Sequence, residues 1–350
     1  MKSENITIHI GQPKAGSTSL QSALFHGRDA LADSGIYFPD IYPHNGNGVI
    51  LGYHLLNDPT GDVPERVWLH KSRREAKALA VEAWDKIRSH IHAHGPRQLL
   101  LSSELYFALL DEQTVQRLHT LTDDVAYTKT IVAYLRRPDQ HYLSSLQQNL
   151  KIGSAPPPPP RGILVQRLEP LFQHWPGEIK LRVFDKTKMT NGNIVDDFCT
   201  HILTRVSPQK LGPARPPANV SLSAEVMALL HDISTGRLDI PGPFDVMFKQ
   251  LKKADRRIPK PTRPQLYPAM SEALLNWFTP DLIWLRDEHD VVFPGAPDMK
   301  LAPDVAPVEF QTIEDICEVD QDRKAAIRDR AMRRARLPSP LRLACKVVNA

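Results

Sequence analysis

The chain has 350 residues, with 44 Lys plus Arg against 40 Asp plus Glu and a formal net charge of +4. That balance excludes a surface given over wholly to polyanions, while leaving room for a local basic patch. The mixture of 41% hydrophobic and 24% charged residues is that of a globular protein, which excludes wholesale disorder, and a chain of this length can hold a core without disulfides or metal.

Ile6 to Ile10 reads as a strand that ends in Gly11-Gln-Pro-Lys-Ala-Gly-Ser-Thr-Ser19. A helix is predicted from near Ser17, because Leu20, Ala23, Leu24 and Leu31 recur at helical spacing. Residues 39–65, rich in Gly, Pro, Asn and His, read as a long loop or lid. Arg73 to His94 is a predicted helix with Ala76, Leu79, Ala80, Ala83 and Ile87 on one face. Gln98 to Ser102 is a second strand, running into Ser103-Glu-Leu-Tyr-Phe107. Thr114 to Leu121 is a short helix, and Thr128 to Leu135 is a third strand, apolar enough to be buried on both faces. Pro138 then opens a helix, as proline does at a first-turn position. Pro156 to Pro160 reads as a stiff polyproline II surface loop. Ile179 to Phe184 is a fourth strand with a helix, Ile194 to Leu203, behind it. Ser223 to Ser234, Ala269 to Trp277 and Asp281 to His289 read as helices.

Strands alternating with helices predict an α/β fold with a mostly parallel central sheet flanked by helices and a helical C-terminal half. The expected organisation is a main domain over residues 1–300 and an appendage over 301–350. Residues 301–322 carry seven acids and no base, and residues 323–346 carry nine bases and one acid. In that basic stretch Ile327, Ala331 and Ala335 form a thin apolar stripe, which reads as a solvated or acid-paired helix in preference to a membrane-surface or subunit contact.

Cys199, Cys317 and Cys345 are far apart, odd in number and without a CxxC. A reducing compartment is therefore the default. The first apolar run is short and interrupted by Thr7 and His9, so no signal peptide is expected. No stretch approaches the ~18 apolar residues of a membrane span. The expectation is a soluble, cytoplasmic protein.

The glycine-rich turn after the first strand carries the strongest chemistry. Such a turn aims backbone N–H groups and the positive end of a helix dipole at one point, which suits a phosphate. Its spacing is near that of a Walker A loop, GxxxxGK[ST], but Ser17 stands where that loop's lysine belongs, and Lys14 lies inside the turn. A nucleoside-triphosphate loop needs that lysine on the β/γ-phosphates and a Mg²⁺-binding hydroxyl beside it. The turn is thus built for a phosphate, but not in the ATPase manner. The second signal is Leu135-Arg-Arg-Pro-Asp-Gln-His-Tyr-Leu-Ser144, at the end of the third strand. Ligands of doubly wound sheets bind at the carboxyl ends of strands, so both motifs fall on one rim, where Arg136 and Ser144 are candidates for a second phosphate group.

On these residues the chain resembles the sulfotransferases that use 3′-phosphoadenosine 5′-phosphosulfate (PAPS), and among them the bacterial members. The turn is similar to their 5′-phosphosulfate loop, with Ser17 and Thr18 in place of the usual paired threonines, and Leu135 to Ser145 resembles their 3′-phosphate element. The likeness runs through Leu99 to Phe107, Val183 to Lys186 and Ala218 to Ser223, covering roughly residues 5–290. It implies a P-loop-like fold in which Lys14, Gly16, Ser17, Thr18 and Ser19 hold the 5′-phosphosulfate and Arg136 and Ser144 hold the 3′-phosphate. It implies in-line sulfuryl transfer to an acceptor hydroxyl, with a carbohydrate or lipid-linked glycan favoured, PAPS as donor and no metal. Lys14 would stabilise charge on the leaving group. The proton acceptor is expected to be His54, with Glu104 and His44 as the other candidates. Glu104 also fits as an orienting partner for a histidine or as a first-turn acid.

Two other readings remain. A P-loop kinase using ATP and Mg²⁺ predicts a lysine after Gly16. A catalytically silent nucleotide-binding interaction protein predicts a dispensable His54 and Glu104. His90, His92 and His94 fall on different helix faces and read as solvated residues, not as zinc ligands. Asn219-Val-Ser221 matches a glycosylation sequon but reads as a loop before the helix at Ser223. No nucleic-acid partner is expected, and any membrane contact would be peripheral, through residues 323–346.

Overall fold

A computed structural model of the protein describes residues 1–41, 47–55, 72–212, 221–296 and 305–335. The strands are β1 (Ser3–His9), β2 (Ile36–Tyr37), β3 (Gln98–Ser102), β4 (Ala126–Leu135) and β5 (Glu178–Val183). The helices before β4 are α1 (Ser17–His26), α2 (Arg28–Asp33), α3 (Val49–Gly52), α4 (Arg73–His94), α5 (Glu104–Leu109) and α6 (Glu112–Asp123). After it come α7 (Pro138–Leu150), α8 (Ile163–His174), α9 (Ile194–Phe198), α10 (Ala224–Ser234), α11 (Phe244–Asp255), α12 (Pro268–Trp277), α13 (Thr279–His289) and α14 (Gln321–Ala335). They group into two units: Met1–Arg137 with Arg161–Ala218 and Thr279–Leu301, and Pro138–Pro160 with Asn219–Phe278 and Ala302–Ala350.

In the first unit a five-stranded, all-parallel sheet has the order β2-β3-β1-β4-β5. This is the predicted α/β fold. β1 is central, with His9 in register with Ser102 of β3 and Val132 of β4. The chain leaves β1 toward β2 and β3, then crosses over to β4 and β5, so the order reverses between β1 and β4. That reversal opens a crevice at the strands' carboxyl ends, where doubly wound sheets bind ligands. Ile6, Ile8, Leu99 to Leu101 and Ile131 to Leu135 are all buried, as strands covered on both faces must be.

Local chemistry sets the ends of the flanking helices. α4 begins with a reciprocal capping box between Ser72 and Glu75 and stops at Gly95, whose φ of 53° is left-handed. α8 contains Pro170 and follows the proline run, so its helical pattern is broken in the sequence. Its N-terminus is closed from α13: the Asp281 carboxylate accepts from Leu164 N–H at 2.7 Å and Val165 N–H at 3.0 Å. The helix predicted to run to Leu203 ends as α9 at Phe198 and continues as one wide i→i+5 turn over Cys199–Leu203, stopped by Thr204 at φ 48°. β2, two residues long, is too short to leave a period in the sequence.

Asp197 of α9 ties the sheet's edge together. Its buried carboxylate takes a bidentate pair from Arg182 at 2.6 and 2.9 Å, the Tyr134 hydroxyl at 2.7 Å and Thr190 N–H at 2.9 Å. Burial by itself would raise this carboxyl's pKa, but these donors outweigh it and hold the group below the usual carboxylate range.

The second unit is helical. α7 packs with α10 and α12, and α11 packs with α14 and α10. The proline run is pinned by two hydrogen bonds, Tyr142 Oη–H to Pro156 O at 3.1 Å and Trp277 Nε1–H to Pro159 O at 2.9 Å. Residues 305–335, which hold most of the acidic stretch and the basic helix beyond it, are part of this unit. Ile327, Ala331 and Ala335 of α14 are all buried, and so is Arg323. The Arg323 guanidinium pairs with Glu225 at 2.7 Å and Asp255 at 2.7 Å and reaches the carbonyls of Ile258 and Pro259 at 2.9 Å each. Lys324 bridges Asp232 at 2.8 Å and Glu314 at 2.6 Å.

Candidate functional site

The site grows from the carboxyl end of β1. Residues 11–16 turn sharply into α1, with Gly16 at φ +83° and Lys14 at φ +69°. Lys14 has a side chain, so its left-handed backbone stores strain of roughly 1–2 kcal/mol, the kind of cost that concentrates at functional sites. Gly16 is required twice over. Its φ favours glycine, and a Cβ there would stand 2.4 Å from Phe184 Cε2 and 3.0 Å from Ile194 Cδ1. At Gly11 a Cβ would lie 2.9 Å from His9 Cε1 and 3.0 Å from Ser17 Oγ. The turn is therefore packed closely on its own supports, and it is followed by the N-terminus of the ten-residue α1 with its first-turn N–H groups.

The segment after β4 is clamped onto this turn. The buried side chain of Gln12 accepts from Arg136 N–H at 2.8 Å, and Arg136 Nη1 donates to Lys14 O at 3.2 Å. The guanidinium lies 6.0 Å from the centroid of the Phe184 ring that closes against Gly16. Two cationic side chains, Lys14 and Arg136, thus share one turn. Burial lowers the Lys14 pKa, Glu104 raises it, and Arg136 lowers it again.

Glu104 opens α5, directly after the Ser103 cap. The Ser17 hydroxyl is hydrogen-bonded to its carboxylate, and Lys14 acts on it electrostatically. Burial nevertheless pushes the Glu104 carboxyl above the usual range, with Ser17 and Lys14 pulling it partly back. The carboxylate is thus held between a hydroxyl, Ser17, and one cation, Lys14.

Beneath the turn lies a polar layer that sequence reasoning missed. His9 is fully buried, its Nδ1 2.8 Å from Ser102 Oγ, which also accepts from Gln21 Nε2 at 3.2 Å. Among the described residues its Nε2 has no hydrogen-bond partner, and the ring meets Tyr134 and Phe198 edge-on. Burial pushes the His9 pKa down to about 4, so the ring is neutral near pH 7. The interruption of the β1 apolar run at His9 was the available signal for this layer; Gln12 and Phe184 left none.

Of the residues singled out in the sequence, the structure brings Lys14, Gly16, Ser17, Glu104 and Arg136 together. Thr18 and Ser19 follow in the first turn of α1, Thr18 exposed. His54 follows α3, next to Tyr53, which is buried with Ala76 and Ala80 of α4 and with Leu105. Burial lowers its pKa, helped by Arg88 and Lys77; Asp85 opposes and Arg117 adds to the lowering. Its charged neighbours are thus those of α4 and α6, not Lys14 and Arg136. Ser144 lies on α7 in the second unit. His44 and Asn219 lie outside the described residues. His90 stacks on Tyr37 at 3.7 Å. Among the described residues no group of three His, Cys, Asp or Glu side chains could hold a metal, and no helix is long and apolar enough to cross a membrane.

Comparison of the chain with protein-family models, with curated proteins and with solved structures finds no match.

Proposed function

We propose that the chain is a sulfotransferase that moves a sulfuryl group from PAPS to an acceptor hydroxyl. The observation that carries this reading is the clamp between Gln12, Lys14 and Arg136, which puts a second cation on a phosphate-type turn. A donor bearing a 5′-phosphosulfate and a separate 3′-phosphate asks for such a pair of positive centres, and a guanidinium is well suited to a phosphate. Gly11 and Gly16 keep the turn close-packed on His9, Ser17 and Phe184, where a Cβ would collide, and the turn leads straight into the N-terminus of α1, an anion-binding arrangement. A kinase reading is weaker: Ser17 occupies the position of the nucleotide-binding lysine, and its hydroxyl is bonded to Glu104.

In the proposed step the acceptor oxygen bonds to sulfur while the bond from sulfur to the bridging phosphate oxygen breaks. The electron pair leaves with that oxygen, and 3′-phosphoadenosine 5′-phosphate is released. Lys14 offsets the charge on the leaving oxygen. The acceptor's proton passes to Glu104, which stands beside Lys14 and Ser17 and whose burial raises its proton affinity above that of an ordinary carboxylate. His54, the base expected from sequence, is the second candidate. The resemblance favours a carbohydrate or lipid-linked glycan as acceptor. The proposed site is built from the first unit's residues alone.

Transfer of radiolabelled sulfur from PAPS to a panel of glycan acceptors tests the assignment. Glu104→Gln keeps the hydrogen bond to Ser17 and is expected to slow transfer about 10²–10⁴-fold while leaving bisphosphate affinity intact. Full turnover in Glu104→Gln together with loss in His54→Ala would move the base to His54.

A further inference from the structure

α11 carries a second feature that the transfer chemistry does not use. Between Lys249 and Arg263 the sequence places seven bases and one acid. The acid is Asp255, and it is turned away: its carboxylate pairs with Arg323 at 2.7 Å and accepts from Ser223 Oγ at 2.8 Å. Met247, Leu251 and Ala254 form the buried face of α11, which packs with α14. On the outer side Phe248, Lys249, Lys252, Lys253, Arg256 and Arg257 line one open hollow of about 540 Å³. Lys249 also makes an exposed pair with Asp245 at 3.2 Å, a contact of small worth that a stronger anion displaces. The cations recur at i, i+3, i+4, i+7 and i+8, so they form a stripe about 10 Å long on one helix face.

A stripe calls for an anion whose charges repeat along a line. A bilayer surface fits poorly, because a helix that binds a membrane lays an apolar face into the acyl boundary, and the apolar face of α11 is buried inside its own unit. Single-stranded nucleic acid fits poorly as well, because it needs an aromatic face on which a base can stack. Phe248 has the Lys252 ammonium 5.2 Å from its ring centroid and Phe244 stacked at 6.4 Å and 15°. What the hollow offers is five positive centres on flexible stems, spaced along one line and suited to sulfate and carboxylate groups that repeat along a chain. We infer that this face of α11 is a binding site for a sulfated linear polysaccharide.

The test uses the full chain. Its binding to a heparin oligosaccharide, a 20-base-pair duplex DNA and phosphatidylserine vesicles is measured across a salt series, beside the charge-reversed variant K252E/K253E/R256E. Heparin is expected to bind most tightly at equal salt. The variant is expected to bind it at least tenfold more weakly, with the log–log salt slope smaller by about two to three. The milder K252Q/K253Q/R256Q is expected to show a smaller loss in the same direction and serves if the first variant fails to fold. K86E/K180E, outside α11, is expected to bind as the unaltered chain does. Heparin binding unchanged in both α11 variants overturns the assignment, as does tighter binding to DNA or vesicles, or no binding to heparin at all.

Discussion

Gly16 is where backbone conformation, packing and the site meet, and Gly16→Ala separates their contributions. An L-residue at φ +83° costs roughly 1–2 kcal/mol on backbone grounds. The added Cβ would also stand 2.4 Å from Phe184 Cε2, about 1 Å inside ordinary contact, and overpacking of that kind costs about 1–3 kcal/mol more. Gly162 and Gly236 have nearly the same backbone, φ +76° and +74°, with nothing among the described residues within 4 Å of the position a Cβ would take. Alanine at those two positions therefore reports the backbone cost alone. Urea unfolding of all three variants is expected to show losses of about 1–2 kcal/mol at Gly162 and Gly236 and about 2–5 kcal/mol at Gly16. Relief of the clash moves the Phe184 ring, which lies beside Arg136, so bisphosphate affinity should fall with it. Equal losses at all three glycines would refute the close packing of Phe184 on the turn, and unchanged affinity in Gly16→Ala would remove the turn from the anion site.

The His9 pKa, pushed down to about 4 by burial, has a consequence for acid stability. The unfolded chain takes up a proton near the ordinary histidine value of about 6.5 and the folded chain does not, so stability is full above that value and declines as pH falls toward about 4. The loss over that window should reach a few kcal/mol, and His9→Gln should flatten it in chemical unfolding curves followed from pH 7 to pH 4. An unchanged pH slope in His9→Gln would contradict the buried neutral ring. Arg323→Ala leaves Glu225 and Asp255 without their cation inside the second unit. Removing one partner of a buried ion pair costs about 3–5 kcal/mol, and a loss below about 1 kcal/mol in unfolding of the variant would show that water replaces the guanidinium.

The chemistry of the first unit was legible where residue type and local spacing dictate it. The glycines and hydroxyls of residues 11–19 mark a turn into a helix, and Arg136 follows a strand buried on both faces. The capping box of Ser72 and Glu75 and the αL Gly95 likewise show where α4 starts and stops. What escaped the sequence are contacts made across long separations. Gln12 meets Arg136 over 124 residues and His9 meets Ser102 over 93, and neither pairing leaves a local pattern. Glu104 was legible as a candidate, but its bond to Ser17 follows from the alignment of β1 with β3, which only the sheet order supplies. α11 was missed because charged residues dilute its apolar face to Met247, Leu251 and Ala254, and α8 because Pro170 interrupts it.

In the proposed function the turn and Arg136 together hold a nucleotide with separate 5′ and 3′ anionic groups. Calorimetric titration of the full chain with 3′-phosphoadenosine 5′-phosphate, beside ADP with Mg²⁺, tests it most directly. Saturable binding of the bisphosphate is expected, with little of ADP, and in Arg136→Ala a far larger loss for the bisphosphate than for adenosine 5′-phosphosulfate. Binding of ADP with Mg²⁺ as tight as that of the bisphosphate, or equal losses for both ligands in Arg136→Ala, would contradict it.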